Sequence, residues 1–305
     1  MSNENLTLNE TFDLALKNHQ NNNLQDAQNY YQKVLELDPN HSQTLNNLGA
    51  IFLVLGERQK AKSCYEKVIE LNPNYADAHN NLGNILKELG EIIKAKGCYE
   101  KAISINPNYV NAHYNLGVIF QELGERQKAK SCYEKVIELN PNFVNAYNNL
   151  GNILKELGEI EKAKECYKKA ILINPNYVNA HYNLGTVFQE LGERQKAKEC
   201  YEKVISINPN YADAHNNLGN ILKELGEIEK AKKCYEKAIE IDPDLFSASS
   251  NFSNIYINQL TDFETAISKS NETLKIYHKN YKLINQSIPL FKLKHDIEQA
   301  NYLNS

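Results

Sequence analysis

Six cysteines, Cys64, Cys98, Cys132, Cys166, Cys200 and Cys234, carry the most reactive side chains of this 305-residue sequence, and each lies 34 residues from the next. Thiols can form disulfides, hold metals or act as nucleophiles, and each use requires particular neighbours. Packed helices stand about 8–10 Å apart, whereas a disulfide needs Cα atoms within about 7 Å. Residues recurring once per packed unit are therefore poorly placed to pair. No Cys-X-X-Cys or Cys/His ligand spacing occurs, so the six are expected to be reduced thiols of a cytosol-like compartment. His79, His113, His181 and His215 also recur one per repeat, too far apart to share one ion, and packing is their expected role. No local Ser/His/Asp or Cys/His signature marks a nucleophile, and the isolated glycines make no phosphate loop. The expectation is a chain with no catalytic residues, no metal and no cofactor, and hence not an enzyme.

Composition narrows the classes further. Hydrophobic residues make up 42% and charged residues 24% of the sequence, enough apolar surface to fold rather than remain disordered. Lysine plus arginine total 34 against 38 acidic residues, with both signs interspersed and a net charge of −4, which argues against a nucleic-acid partner. The stretch Met1 to Glu10 is polar, and no run of about 18 apolar residues occurs. Neither secretion nor membrane insertion is expected, and the location is taken as cytoplasmic.

The elements that must position these residues follow from the period. Leu48-Gly49, Leu82-Gly83, Leu116-Gly117, Leu150-Gly151, Leu184-Gly185 and Leu218-Gly219 succeed one another every 34 residues. They define repeats at 42–75, 76–109, 110–143, 144–177, 178–211 and 212–245, with a more divergent copy at 8–41 after a polar tail, 1–7. In the unit 144–177, Ala146, Tyr147, Leu150, Gly151, Ile153, Leu154 and Leu157 form one apolar helical face. Ala163, Tyr167, Ala170, Ile171 and Ile173 form a second. Gly151 costs a helix interior about 1 kcal/mol, a cost explained if its missing side chain admits the neighbouring helix. Gly158 ends the first helix in the left-handed region, Pro175 ends the second, and Asn22 takes the turn glycine's place in the first copy. Tyr65, Tyr99, Tyr133, Tyr167, Tyr201 and Tyr235 are expected core residues. A degenerate eighth repeat is predicted over 246–280, where Ser253, Tyr256 and Ala266 align with repeat positions. A C-terminal capping helix is predicted over 281–305, with Leu290, Leu293, Ile297 and Ala300 on one face.

On these residues the chain resembles the tetratricopeptide repeat family across about residues 8–280. Segments such as Ala212-Asp213-Ala214-His215-Asn216-Asn217-Leu218-Gly219-Asn220 are similar to the repeat region of O-GlcNAc transferases and Spindly-type proteins. The resemblance implies an all-α fold, a right-handed α-solenoid or superhelix of helix-turn-helix units. Its concave groove, lined by first helices, would hold a protein or peptide partner. It also implies a ladder of asparagines at the sixth repeat position that grips peptide backbone. That position is Asn47, Asn81, Asn115, Asn149, Asn183, Asn217 and Asn251, with Asp13 departing in the first copy. No transferase activity is carried over, because no nucleotide-sugar fold follows the repeats before Ser305.

An asparagine amide offers both donor and acceptor, matching a peptide group whatever its side chain. Rungs about 10 Å apart would meet about every third residue of an extended peptide. Flanking positions alternate with a period of two repeats. One type presents Asn80, Asn84 and Lys87, then Asn148, Asn152 and Lys155, then Asn216, Asn220 and Lys223; the other presents Tyr114, Val118 and Gln121, then Tyr182, Thr186 and Gln189. A ligand alternating polar or acidic groups with apolar anchors is expected, although Glu88, Glu122, Glu156, Glu190 and Glu224 temper the basic character. A two-carboxylate clamp is not expected, since the fifth position is asparagine or tyrosine rather than lysine. The same alternation in the second helices, where Glu125-Arg126-Gln127-Lys128 gives way to Glu159-Ile160-Glu161-Lys162, has a plainer source: duplication of a 68-residue pair. The ladder is then either a backbone-binding row or a polar solvated face, and Asn251 favours the former because it persists where the sequence has drifted. Two functions fit: an interaction scaffold acting alone, or the substrate-recognition arm of an enzyme whose catalytic domain lies on a missing or separate chain. No feature indicates an oligomeric state.

Overall fold

The computed structural model describes residues 6–258. Most of the polar tail, the later part of the faded repeat with Ala266, and the whole of 281–305 lie outside the described residues. Within them are fifteen helices and no strand, and the fold is all-α. The chain divides into two compact units, the first ending at Leu157 and the second beginning at Gly158.

The first unit contains α1 (Leu8–Gln20), α2 (Leu24–Leu37), α3 (Ser42–Val54), α4 (Arg58–Leu71), α5 (Ala76–Glu88), α6 (Ile92–Ile105), α7 (Val110–Glu122), α8 (Arg126–Leu139) and α9 (Val144–Glu156). The second contains α10 (Ile160–Ile173), α11 (Val178–Glu190), α12 (Arg194–Ile207), α13 (Ala212–Glu224), α14 (Ile228–Ile241) and α15 (Phe246–Asn258). Inside each unit every helix packs on its predecessor and successor. Odd-numbered helices are the first helices of their repeats and even-numbered ones the second.

Three local devices set this geometry. The turn within each pair passes through the left-handed region, at φ +76° for Gly56, +77° for Gly90 and +73° for Gly124, and at 59° for Asn22, a conformation that glycine and then asparagine adopt at least cost. The turn between pairs uses Asn-Pro-Asn: the Asn74 N–H donates to Asn72 Oδ1 at 3.1 Å, and Asn108 to Asn106 and Asn142 to Asn140 likewise. Proline cannot extend the preceding helix, and the asparagine oxygen takes over as acceptor for the turn. The following histidine closes the same turn, since His79 Nε2 donates to the Pro73 carbonyl at 2.9 Å and His113, His181 and His215 repeat the contact with Pro107, Pro175 and Pro209.

The core repeats as faithfully as the turns. Tyr31, Tyr65, Tyr99 and Tyr133 in the first unit, and Tyr167, Tyr201 and Tyr235 in the second, are fully buried, each worth roughly 1.5–3 kcal/mol of apolar burial. The mid-helix glycines exist for these rings: a Cβ on Gly117 would stand 2.8 Å from Cε1 of Tyr133, and one on Gly219 only 2.5 Å from that of Tyr235. The expected close approach is thus a ring of the repeat's own second helix lying on glycine backbone. Alanines at the crossing points, Ala61, Ala95, Ala129, Ala197 and Ala231, are also fully buried. Arg58–Glu88, Arg126–Glu156 and Arg194–Glu224 link successive repeats across the surface, but both partners are about half exposed, so each adds at most about 1 kcal/mol.

Candidate functional site

The seven ladder asparagines occupy equivalent half-buried positions on the first helices. Burial that is neither complete nor absent is what a contact residue needs, and the hydrogen bonds show how each amide is held. Asn47 Nδ2 donates to the Tyr31 hydroxyl at 3.0 Å. Asn115 Nδ2 donates to Asn80 Oδ1 at 3.1 Å and to Asn84 Oδ1 at 3.0 Å. Asn149 Nδ2 donates to the Tyr114 hydroxyl at 3.1 Å and reaches that of Tyr133 at 3.5 Å. In the second unit Asn217 Nδ2 donates to the Tyr182 hydroxyl at 3.2 Å and Asn251 Nδ2 to Asn216 Oδ1 at 3.0 Å. Asn115, Asn149, Asn217 and Asn251 are thus each tied to the fifth position of the repeat before it, whether that position is asparagine or tyrosine.

This corrects the expectation that each amide turns both a donor and an acceptor outward. At Asn115 and Asn149 both N–H bonds are directed into the structure, and what remains is the carbonyl oxygen. At Asn149 and Asn217 that oxygen accepts from Asn148 and Asn216 at 3.3 Å, with a second lone pair left over. The carboxamides are fixed in orientation before any ligand arrives.

The flanking positions separate by depth. Asn80, Asn148 and Asn216, expected to be presented to a ligand, are only 4–5% exposed and serve as struts for the ladder. Tyr114 and Tyr182 stay half-buried; Tyr114 packs at a tilt against Tyr133 and Phe143, and Tyr182 against Tyr201 and Tyr211, with ring centroids 5.0–5.9 Å apart. Asn84, Asn152 and Asn220 are half-buried, as are Lys87, Lys155 and Lys223. Lys87 stands 3.6 Å from Glu122 of the next repeat, so its charge is already balanced in part.

Sequence reasoning missed the tyrosine hydroxyls. The rings are core, but the oxygens reach the ladder side and need acceptors. Tyr99 donates to Asn84 at 2.8 Å and Tyr235 to Asn220 at 2.9 Å, whereas Tyr133 donates to Gln121 at 3.0 Å and Tyr201 to Gln189 at 2.8 Å. The two-repeat alternation is therefore a compensated exchange: the ninth position supplies the acceptor in one repeat type and the twelfth in the other. An invariant tyrosine facing two positions that change together was the signal available in the sequence.

The cysteines offer no competing chemistry. Burial pushes the Cys64, Cys132 and Cys234 thiols up to about 11 and the Cys200 thiol to about 12, which suppresses the nucleophilic thiolate. Among the described residues no three His, Cys, Asp or Glu side chains gather as a metal site, and no described helix is long and apolar enough to cross a membrane.

Tandem helix pairs sharing a polar first-helix face define a helical repeat protein. Family comparison matches a tetratricopeptide repeat at residues 42–75, 110–143, 178–211 and 212–245, with further tetratricopeptide matches at 13–41, 64–97, 83–124, 132–165 and 151–192. Together they run unbroken from 13 to 245, and the chain belongs to the tetratricopeptide repeat family. Comparison with curated proteins gives no match. Among solved structures the chain is similar to YrrB, described as a TPR protein with an unusual peptide-binding site, at TM-score 0.53 and 26% identity over 64% of this chain and 98% of that one. It is similar also to MamA, at TM-score 0.51 and 29% identity over 55% and 92%. Pseudomonas aeruginosa pilF shares the fold at TM-score 0.62 and 19% identity over 68% and 95%.

Proposed function

We propose that this chain is a non-catalytic, cytoplasmic scaffold that binds partner proteins through extended segments lying along the first-helix faces of its repeats. One observation carries this: a half-buried asparagine recurs in every repeat from Asn47 to Asn251, and Asn47, Asn115, Asn149, Asn217 and Asn251 are held by the preceding repeat with carbonyl oxygen capacity left over. A row of fixed acceptors suits the N–H groups of an extended backbone and costs little ordering on binding. The half-buried aromatic Tyr114 and Tyr182, alternating with Asn84, Asn152, Asn220 and Lys87, Lys155, Lys223, add side-chain preference. The unbroken asparagine register supports grouping these repeats with those of O-GlcNAc transferases and Spindly-type proteins. The peptide-binding site named for YrrB, a relative in fold, supports peptide binding by these repeats.

The test is a peptide-array screen of the parent chain against the Asn115→Ala/Asn149→Ala variant. The double variant is expected to lose about tenfold or more in affinity for bound peptides regardless of their side chains, the equivalent of one or two hydrogen bonds. Equal binding by both proteins would remove the ladder from the mechanism.

A further inference from the structure

The seam between repeats 42–75 and 76–109 breaks the pattern of the others. In every other repeat whose tyrosine bonding is described, the hydroxyl meets a polar side chain at the ninth or twelfth position of its own repeat: His19 for Tyr31, Asn84 for Tyr99, Gln121 for Tyr133, Gln189 for Tyr201 and Asn220 for Tyr235. In repeat 42–75 those positions are Ala50 and Leu53. The Tyr65 ring is fully buried, and its hydroxyl proton has no acceptor of the kind that the other repeats supply. The same seam leaves Asn46 Oδ1 buried and unpartnered. Asn46 is the fifth-position residue that should receive the next rung, as Asn80 receives Asn115.

That next rung, Asn81, is also unlike its fellows. Its oxygen accepts from Asn80 at 3.4 Å, but its nitrogen makes no bond to Asn46 of the kind that ties Asn115 to Asn80. It lies beside the Tyr65 hydroxyl, and even counted as a donor there it leaves the phenol's own proton without an acceptor. One seam therefore holds an orphan donor, Tyr65 O–H, and an orphan acceptor, Asn46 Oδ1, where a carboxamide stands in repeat 76–109. Ala50, Leu53 and Asn81 are all half-buried, and Asn81 is the one beside the Tyr65 hydroxyl. Buried polar groups cost about 1–3 kcal/mol each when unsatisfied, and here the shortfall lies on the candidate binding face.

We propose that this seam is an amide-binding notch: a peptide group or a side-chain carboxamide of the ligand turns Asn81 aside, accepts from Tyr65 and donates to Asn46, replacing the amide that Ala50 lacks. A carboxylate would leave Asn46 unsatisfied and an ammonium would leave Tyr65 unsatisfied, so the site takes a neutral group that both accepts and donates, and the one that every peptide ligand carries is the amide. The notch rests on the scaffold reading, which it sharpens by giving the ligand a point of anchorage.

The probe is N-methylacetamide, a minimal peptide group, titrated into the full chain with labelled alanine methyls and asparagine side-chain amides observed by NMR. A saturable response is expected at the Ala50 methyl and the Asn81 amide, with none at Asn115 or Asn149. Ala50→Asn, copied from Asn84, is expected to raise the thermal midpoint by giving Tyr65 its acceptor and to weaken the response about tenfold. Tyr65→Phe, which keeps the ring, is expected to weaken the response without unfolding the protein. No saturable response, an equal response at Asn115 and Asn149, or an unchanged response in Ala50→Asn would overturn the notch. Failure of the notch is separable from failure of the scaffold: peptides that still bind the parent and Ala50→Asn equally, but not Asn115→Ala/Asn149→Ala, refute the anchor alone. A seam that answers N-methylacetamide in a chain that binds no peptide refutes the scaffold alone.

Discussion

Burial converts the most reactive residues of this chain into quiet ones. Six thiols at constant spacing suggest redox or metal chemistry by type, yet each is carried by its repeat to a half-buried or buried site beside the core tyrosine, and desolvation opposes ionisation at Cys64, Cys98, Cys132, Cys200 and Cys234. The raised values have a consequence for stability. The neutral thiol is the folded form, so an unfolded chain loses its thiol protons near the ordinary value of 9.0 while the folded chain retains them to about 11. Their contribution is therefore complete below about pH 9 and declines as pH rises through about 11. Chemical denaturation midpoints are expected to hold steady from about pH 7 to 8 and to fall between about 9 and 10, a window in which the buried tyrosines, also shifted upward, add to the thiols. Cys132→Ala with Cys200→Ala should make that fall shallower, and an undiminished slope would assign it to the tyrosines alone.

Within a helix pair, the tyrosine acceptor shows how two positions act as one. Gln121→Lys removes the acceptor of Tyr133 and is expected to cost about 1–2 kcal/mol by denaturant titration. Adding Val118→Asn rebuilds the arrangement of Asn84 and Lys87 and should recover most of it, a coupling that a double-mutant cycle measures directly. Additive losses would show that the hydroxyl does not link the two sites. Much of this element was legible in the sequence. Glycine at the turn, asparagine standing in for it at Asn22, proline after the second helix and glycine under a close helix all follow from backbone sterics, which act locally. The depth of a side chain was not legible: Asn80 and Asn81 are adjacent and identical in type, yet one is a strut and the other a rung. Helix phase alone gave both to the polar face, and only the neighbouring repeat decides between them.

Across the whole chain, the 34-residue period made the all-α repeat fold readable, because a helix pair that cannot bury its own face must stack on a copy of itself. The 68-residue period was readable too, but its meaning was not, since an internal hydrogen-bond exchange and a ligand-reading alternation leave the same trace in sequence. Nearest-neighbour stacking also grades stability along a unit. In the first unit α1 packs mainly on α2, whereas α5 to α8 are flanked on both sides, so hydrogen–deuterium exchange is expected to be fastest in α1 and slowest in α5 to α8. Uniform protection would mean that the unit opens only as a whole. The Asn-Pro-Asn turns carry a further consequence, for ageing rather than folding. Deamidation proceeds when the next residue's backbone nitrogen attacks the asparagine carboxamide, and Asn72, Asn106, Asn140, Asn174 and Asn208 are all followed by proline, which has no N–H to attack with. Their side-chain oxygens are held besides by the turn. A chain that entrusts its joints to asparagine has thereby placed it where the residue's usual chemical decay is blocked, and its charge and joints should outlast those of an equally asparagine-rich flexible segment.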